Sequence, residues 1–420
     1  MKKRKKILIL SNIILPAPAE KIGIKNTPFG GWISEIVKGL SLSKKYSLSI
    51  ATIGPVRVLK KIVHEDITYY VAPGFGKGSL NISLKDCNFI LNDSNPDVLH
   101  AEGTELAFSK TFLELFKGIK ILSIQGILNE IKKYYFSGIF NYDSLKFISI
   151  KSILPILGVV FNYLFRFLPR IRDENKSINL VENIIGRTEW DRIHALNINH
   201  NARYFHCERI LREPFVLKKW DYTHCKKNTI FIGNSSHPYK GVHIAFQAIA
   251  LLINKFPDIN VIIAGQNAFE YQDKKLSKII GYHAYLKCVI EKLNIKNNIT
   301  FTGELNALEM ADKMAKSNIY LLCSSIENSP NTLAEAMSLG VPTVASFVGG
   351  VQSMATNELN CLMYRSDDYV YLAGQIERLL IDEELCSFLS LNSIEHSSKN
   401  YLRENSIEKL MHVYDTVSNK

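Results

Sequence analysis

Glu327 and Glu335 are the side chains best placed to do chemistry, in the run Glu327-Asn-Ser-Pro-Asn-Thr-Leu-Ala-Glu335. The apolar run Ile319 to Cys323 ahead of them reads as a buried strand. Ser329 is a good N-cap, and Pro330 suits the first helical position, where its missing N–H costs nothing. Gly340 and Pro342 then stop the helix. Two carboxylates thus flank a helix N-terminus at the end of a strand, Glu327 in the loop before the cap and Glu335 two turns in. The first-turn amides of Asn331 and Thr332 are free to bind an anion. Amides for phosphate and carboxylates for hydroxyls suit a sugar nucleotide. The plainer reading is a helix whose acids complement its dipole.

The elements that must position these residues form two series of strand-then-helix units. The first runs through Ile7–Leu10, the helix Gly31–Leu40, Tyr46–Ile53, Val98–His100, Ile119–Ile124, Ile184–Gly186 and the helix Trp190–Ala195. The second runs through Thr229–Ile232, a helix from about Gly241 to Lys255, Asn260–Ala264, Ile299–Thr302, Ile319–Cys323 and Pro342–Ser346. Short apolar strands between helices imply parallel sheets covered on both faces. The charged stretch Arg212 to Lys227 reads as the linker, and Ser393 to Thr416 as helix. The expected domains are 1–214, 215–395 and a C-terminal helix 396–420, whose return to the first domain is left open. Two doubly wound α/β domains place a ligand cleft at the carboxyl ends of their strands. Gly30-Gly31, Lys240-Gly241 and Gly349-Gly350 all fall there, each alone a weak signal.

Apolar content of 46% and charged content of 22% are those of a globular protein. Residues 1–200 hold 28 Lys+Arg and 17 Asp+Glu, a difference of +11, and the remaining 220 residues hold 23 of each. That one-sided excess suggests an anionic partner, read here as a membrane surface rather than nucleic acid, or else solubility alone. The seven cysteines form no C-x-x-C pair, which fits a reducing cytoplasm. Met1 to Leu15 imitates a secretory signal, but Ser11 and Asn12 interrupt the run, and a first strand is the better reading. Phe147 to Leu168 is apolar but holds Lys151, Pro155, Asn162 and Arg166. It reads as two buried helices broken at Pro155, or as a segment lying in a membrane surface.

Taken together these residues resemble the retaining glycosyltransferases of family 4, which have the GT-B fold. The resemblance is strongest from Gly233 to Gly350. It is carried by Glu327 and Glu335 as an E-x7-E pair, with Tyr239-Lys-Gly-Val242, Ile263-Ala-Gly265, Phe301-Thr-Gly-Glu304 and Ala345-Ser-Phe-Val-Gly-Gly350. Phe29-Gly-Gly31, Pro96-Asp-Val-Leu-His100 and Gly186-Arg-Thr-Glu-Trp-Asp191 fit in the first domain, the last resembling capsule and exopolysaccharide sugar transferases. The resemblance implies two Rossmann-like domains facing across a cleft. It implies Glu327 on the donor sugar, Glu335 on the ribose, Lys240 on the diphosphate and Gly31 close to it. Gly30, Gly265, Ser329, Asn331 and Thr332 complete the expected donor side. Glu327 and Lys240 are the expected catalytic residues. On the acceptor side the candidates are His100, Glu105, Gln125, Arg187 and Glu189, the last also readable as a helix start after Thr188.

The chain departs from the family pattern in places. Ser235 stands where an Arg usually precedes the lysine, so diphosphate binding leans on Lys240 or on an Arg from elsewhere. Gln125 stands where many members have His, and it can hydrogen-bond but not carry a proton. Asn360-Cys361 replaces a common Asn-Gly turn. The histidines show no metal-ligand spacing, so no metal and no cofactor is expected. The sequence reading is therefore a cytoplasmic, metal-independent retaining glycosyltransferase, with membrane association left open. It would move sugar from a nucleotide-diphosphate sugar to a glycan or lipid-linked glycan in surface polysaccharide synthesis. The rivals are a GT-B sugar-nucleotide epimerase, a non-catalytic sugar-nucleotide binding protein and, weakly, a nicotinamide dehydrogenase, which lacks its G-x-G-x-x-G.

Overall fold

The apolar run behind the basic N-terminus lies in the middle of a sheet. A computed structural model describes residues 4–24, 31–75, 80–104, 106–141, 144, 146–269 and 280–418. The chain divides into two units. Unit 1 comprises 1–129, 165–210 and 401–420, and unit 2 comprises 130–164 and 211–400. The sequence division at 214 and 395 did not set 130–164 apart.

The sheet of unit 1 has eight strands: β1 (Lys5–Ser11), β2 (Tyr46–Gly54), β3 (Lys60–His64), β4 (Ile67–Pro73), β5 (Val98–Glu102), β6 (Ile119–Ser123), β7 (Asn183–Gly186) and β8 (Arg203–His206). Their order is β3-β4-β2-β1-β5-β6-β7-β8. The direction of progression reverses between β1 and β5, so the ends of those strands, Ser11 and Glu102, mark the switch point. The expectation of a purely parallel sheet fails at β3, which pairs antiparallel with β4. The two residues joining them, Glu65 and Asp66, both have positive φ (46° and 62°), as a tight I′-type hairpin turn requires. A Glu-Asp pair gives little warning of that turn.

Alternate residues of β1 feed opposite faces of this sheet. Ile7 and Ile9 join a core with Trp32, Ile33, Ile36, Ile407 and Tyr414. Leu8 and Leu10 join one with Ile90, Phe108, Phe112 and Ile178. Ile407 and Tyr414 come from the C-terminal helix Arg403–Ser418, which therefore completes the core of unit 1. The expected single helix 393–416 is two, Glu383–Asn400 and Arg403–Ser418, with Tyr401 and Leu402 between them.

Unit 2 is built on a wholly parallel sheet of β9 (Lys226–Ile232), β10 (Asn260–Ile263), β11 (Ile299–Phe301), β12 (Ser317–Leu322), β13 (Thr343–Ser346) and β14 (Leu362–Tyr364). The order is β11-β10-β9-β12-β13-β14, so the switch point lies between β9 and β12. The expected linker is docked rather than loose. Glu213–Leu217 is a short helix with Phe215 buried, and Trp220 donates its indole N–H to the Ser317 carbonyl (2.9 Å).

The segment 130–164 packs within unit 2. His243, fully buried, donates from Nε2 to the Ser137 carbonyl (2.8 Å), and its Nδ1 meets the Tyr282 hydroxyl (2.9 Å). The helix expected to break at Pro155 does not. It runs unbroken over Ile150–Asn179, with one wider turn at Tyr163–Phe167. Proline leaves the carbonyl of Lys151 without its helical N–H. The Cys288 thiol contacts that carbonyl instead (3.7 Å), and the Pro155 carbonyl accepts the Gly281 N–H (3.0 Å). Nor is the helix buried: only 28% of its most apolar stretch is covered.

Three histidines prefer to stay neutral. Burial lowers the pKa of His243 and of His283 to about 4. It lowers that of His100 too, with Glu102 opposing and Arg187 adding to the shift. In the unfolded chain each takes up a proton near pH 6.5. The unfolded state therefore binds more protons as pH falls, and this part of the stability, complete above about pH 6.5, is lost toward pH 4. His243 and His283 should each contribute about 1.4 kcal/mol per pH unit in that window. Urea unfolding at several pH values should show the decline, and His283→Gln should shallow it. A flat profile would mean that these histidines protonate in the folded protein.

Candidate functional site

Lys240 ends a single turn, Pro238–Lys240, that precedes the helix Val242–Leu252. Between them Gly241 takes a left-handed conformation (φ 69°), and a Cβ there would collide with the Cys323 carbonyl oxygen at the end of β12. Only glycine lets the two backbones approach this closely. The contact is reinforced by Ser325 N–H to the Tyr239 carbonyl (2.8 Å) and the Cys323 thiol to the Lys240 carbonyl (3.1 Å). From the other side Gly349 (φ 48°) leaves no room for a Cβ against the Glu327 carbonyl, which accepts the Gly350 N–H (3.0 Å). The loop 323–327 is thus gripped between two glycine-dependent contacts.

That grip sets the chemistry. Lys240 Nζ donates to Glu327 Oε1 at 2.5 Å, and Ser324 Oγ donates to the same oxygen at 2.7 Å. Both charged side chains are mostly buried, 17% and 13% exposed. Burial, the largest influence, lowers the pKa of the Lys240 ammonium. Glu327, Tyr239 and Cys323 together outweigh it and hold the pKa above its ordinary value. The site therefore keeps a fixed cation at the switch point of unit 2.

The helix after this loop is Asn331–Leu339, with Pro330 as its N-cap and no side-chain cap. It starts one residue later than expected, and Ser329 does not cap it. The Ser329 hydroxyl is buried without a hydrogen-bond partner among the described residues. Thr332 Oγ1 accepts from the Tyr320 hydroxyl (2.7 Å). Asn331 and Thr332 occupy the first turn of the helix. Glu335 is one turn in rather than two, and is buried. Both of its oxygens are engaged by Arg212, Nε to Oε1 at 2.7 Å and Nη2 to Oε2 at 2.8 Å. Burial raises the Glu335 pKa and Arg212 pulls it back, leaving it raised. Each carboxylate oxygen retains a second lone pair for a hydroxyl. Gly265 (φ 118°) pairs with Gly303 and lies 3.4 Å, measured from a built Cβ, from Ser235 Oγ. A cavity of about 610 Å³ adjoins the same loop, lined by Ser325, Ile326 and Gly349 together with Phe136, Gln247 and Tyr369.

The acceptor-side candidates lie in unit 1. His100 is fully buried, with Nε2 2.7 Å from Ser123 Oγ and Nδ1 2.7 Å from the Tyr414 hydroxyl. Ser123 donates to Glu102 Oε1 (3.1 Å), so Nε2 carries the proton and Nδ1 accepts from tyrosine. Both ring nitrogens are spent inside the protein, and His100 holds Ser123 and Glu102 in place. Glu102 Oε2 is buried without a hydrogen-bond partner among the described residues. Its side chain lines a cavity of about 170 Å³ with Ser11, Asn12, Ile13, Trp32 and Gln125. Gln125 donates to the Glu102 carbonyl (3.1 Å). The Arg187 side chain is buried and donates to the Ile124 carbonyl. Glu189 is exposed and pairs with Arg192 (2.7 Å), while Thr188 caps the helix Glu189–Ile198. The Gly186–Asp191 motif therefore builds a helix start, with buried Asp191 accepting from Tyr204 and from the Arg187 N–H. Gly31 opens the helix Gly31–Leu42. Gly30 and Glu105 lie outside the described residues. Among the described residues no group of three or more His, Cys, Asp or Glu side chains is placed to share a metal ion.

Arg212, Ser324 and Glu102 were not singled out from the sequence. Glu102 was within reach, two residues beyond His100 on the same face of a strand. Arg212 was named only as the start of the expected linker, and the arginine missing at Ser235 did not point to its pairing with Glu335.

Residues 218–396 match the family described as glycosyl transferases group 1. The fold is GT-B. Sucrose-phosphate synthase from Thermosynechococcus elongatus is 13% identical and superimposes with a TM-score of 0.71, covering 99% of both chains. The Anabaena protein Alr3699/HepE, solved in complex with UDP-glucose, is 14% identical with a TM-score of 0.66, covering 98% of this chain and 99% of that one. The lipopolysaccharide core biosynthesis mannosyltransferase LpsB of Rhizobium meliloti is 23% identical over 180 residues, 42% of this chain and 48% of that protein. The chain spans less than half the length of the curated relatives it matches.

Removing Arg212 strands the buried Glu335 carboxylate. Arg212→Met should cost about 3–5 kcal/mol at neutral pH. The variant should regain stability as pH falls, because the folded carboxyl, its pKa raised, protonates before the unfolded one. Glu335→Gln in the Arg212→Met background should recover part of the loss. Strict additivity of the two substitutions in urea unfolding would show that the pair is not coupled.

Proposed function

We propose that the chain is a retaining glycosyltransferase that takes sugar from a nucleotide-diphosphate donor. The observation that carries this is the Lys240–Glu327 pair, held at the switch point of unit 2 beside the first turn of the helix Asn331–Leu339. Transfer breaks a sugar–diphosphate bond, and negative charge grows on the leaving diphosphate. The Lys240 ammonium and the amides of Asn331 and Thr332 would stabilise that charge. Glu327 would then exchange its bond to Lys240 for hydroxyls of the donor sugar, with Ser324 keeping its carboxylate oriented. Glu335, fixed by Arg212, would accept from the ribose hydroxyls. Retention would follow from acceptor attack on the face the diphosphate leaves, with the leaving phosphate taking the acceptor proton. No dedicated carboxylate base is then needed, and the two-carboxylate scheme of sugar hydrolases is the wrong template for Glu327 and Glu335. The charge role of Lys240 makes a metal unnecessary in this scheme.

The likeness to a protein solved with UDP-glucose supports the donor class. The likeness to a lipopolysaccharide mannosyltransferase supports a glycan or lipid-linked acceptor in surface polysaccharide synthesis. In unit 1 the acceptor hydroxyl would meet Glu102 and Gln125, whose polar groups line the small cavity at that switch point.

The test is turnover with a panel of nucleotide sugars, after a thermal-shift screen to find the donor. Lys240→Ala should lower kcat on the order of a hundredfold, as loss of an electrostatic donor of this kind does. Glu327→Ala should lower turnover more than nucleotide binding, and Glu335→Ala should chiefly weaken donor binding. Chelator should have little effect. Near-normal turnover in Lys240→Ala, or abolition by chelator, would overturn the scheme, and isomerised donor without acceptor would point to an epimerase.

A further inference from the structure

The cavity of about 610 Å³ in unit 2 lies to one side of the Lys240–Glu327 pair. Its lining stops at Ile326, one residue short of Glu327, and extends to the loops after β13 (Phe347 to Gly349) and β14 (Arg365 to Asp367). Neighbouring strands lie about 4.8 Å apart, so β14 is roughly 10 Å from β12, at the same carboxyl edge of the sheet but away from its switch point. Another wall is a tight turn, Phe136 to Ile139, closed by the Ile139 N–H on the Phe136 carbonyl (3.0 Å). Its two central residues, Ser137 (φ 46°) and Gly138 (φ 75°), take the left-handed backbone that such a turn requires. Ser137 is fastened from two sides. Its hydroxyl meets that of Ser325 at 2.5 Å, and its carbonyl accepts from His243. The wall is therefore preformed, which lowers the cost of binding.

The side chains on these walls name the ligand class. Phe140 and Phe347 line the cavity and are 49% and 55% exposed, so aromatic faces are open to a ligand. Phe140 is braced by Phe136, their ring centres 5.4 Å apart. Polar groups stand among the rings. Gln247 is 4% exposed, and its side-chain oxygen has no hydrogen-bond partner among the described residues. A buried acceptor left unserved is the exception in a folded protein, and a ligand hydroxyl would serve it. Arg365 donates to both oxygens of Asp367 (3.0 and 2.7 Å), and each oxygen keeps a lone pair for a hydroxyl. Rings for C–H faces, with an amide and a carboxylate for hydroxyls, suit pyranose sugars. An anionic ligand is disfavoured, because both cations of the described lining are already paired, Arg365 with Asp367 and Lys133 with Glu130 (2.7 Å). We propose that this cavity binds neutral sugar units of a glycan chain, at a site separate from the donor sugar. The site rests on the cavity lining and not on the transferase reading, under which it would hold a growing chain between transfers.

Binding of the full chain, without nucleotide, to an array of oligosaccharides of hexoses, N-acetylhexosamines, 6-deoxyhexoses and uronic acids tests it, with titration calorimetry on the strongest. At least one neutral oligosaccharide should bind. Phe140→Ala and Phe347→Ala should each weaken that binding about tenfold, with the unfolding temperature unchanged. Phe140→Tyr, which keeps a ring, should bind as the native chain does. Lys240→Ala should leave glycan binding intact, so the result is independent of whether sugar transfer occurs. No bound oligosaccharide would overturn the proposal, as would binding confined to uronic acids or binding that both alanines leave unaltered. Binding that Lys240→Ala abolishes, or that the nucleotide sugar found by the thermal-shift screen displaces, would put the glycan at the transfer site and overturn it too.

Discussion

The candidate site depends on how closely three backbone segments of unit 2 approach one another. The loop after β12 passes under Gly241 and over Gly349, and both contacts exclude any side chain at those glycines. An ammonium and a carboxylate mostly removed from water are costly to hold together unless their geometry is fixed in advance. The backbone supplies that fixity: Lys240 is delivered by the residue before one glycine contact, and Glu327 carries the carbonyl that makes the other. The ion pair is a consequence of the packing rather than its cause.

The same order of dependence appears one layer out. Glu335 would be an isolated buried carboxylate without Arg212. Arg212 in turn is fixed because the segment around it is docked through Phe215 and Trp220. In unit 1 the unpartnered oxygen of Glu102 has its direction set by Ser123 and His100, and His100 by Tyr414. Each candidate carboxylate is thus oriented by a neighbour that is itself anchored: Glu327 by Ser324, Glu335 by Arg212, and Glu102 by Ser123 and His100.

Much of this was legible in the sequence because it is local. Apolar runs bounded by glycine and proline marked ten of the fourteen strands, and the Glu327–Glu335 spacing marked the loop and helix. What was hidden depends on partners distant in the chain. Pro155 argued for a helix break, and the group that meets the stranded Lys151 carbonyl, the Cys288 thiol, comes from far along the chain. β3 was missed because its hairpin turn is made by Glu and Asp in conformations they rarely adopt. Ser329 was given a capping role that the chain does not use, since Pro330 already fixes the entry to the helix. Arg212 sits 123 residues from the carboxylate it serves, and nothing in its neighbourhood announces that pairing.

The C-terminal helix has a further consequence, for the order in which the chain can assemble. Ile407, Leu410, Val413 and Tyr414 cover the face of the first sheet that carries Ile7 and Ile9, beside Trp32 of the helix Gly31–Leu42. On the ribosome those first strands emerge hundreds of residues before their cover. Unit 2, complete at residue 400, can close while unit 1 still exposes an apolar sheet face and an unshielded His100. Unit 1, whose strands precede unit 2 but whose cover follows it, is therefore the last of the two to finish folding. In the interval its uncovered sheet is the surface most in need of protection from aggregation.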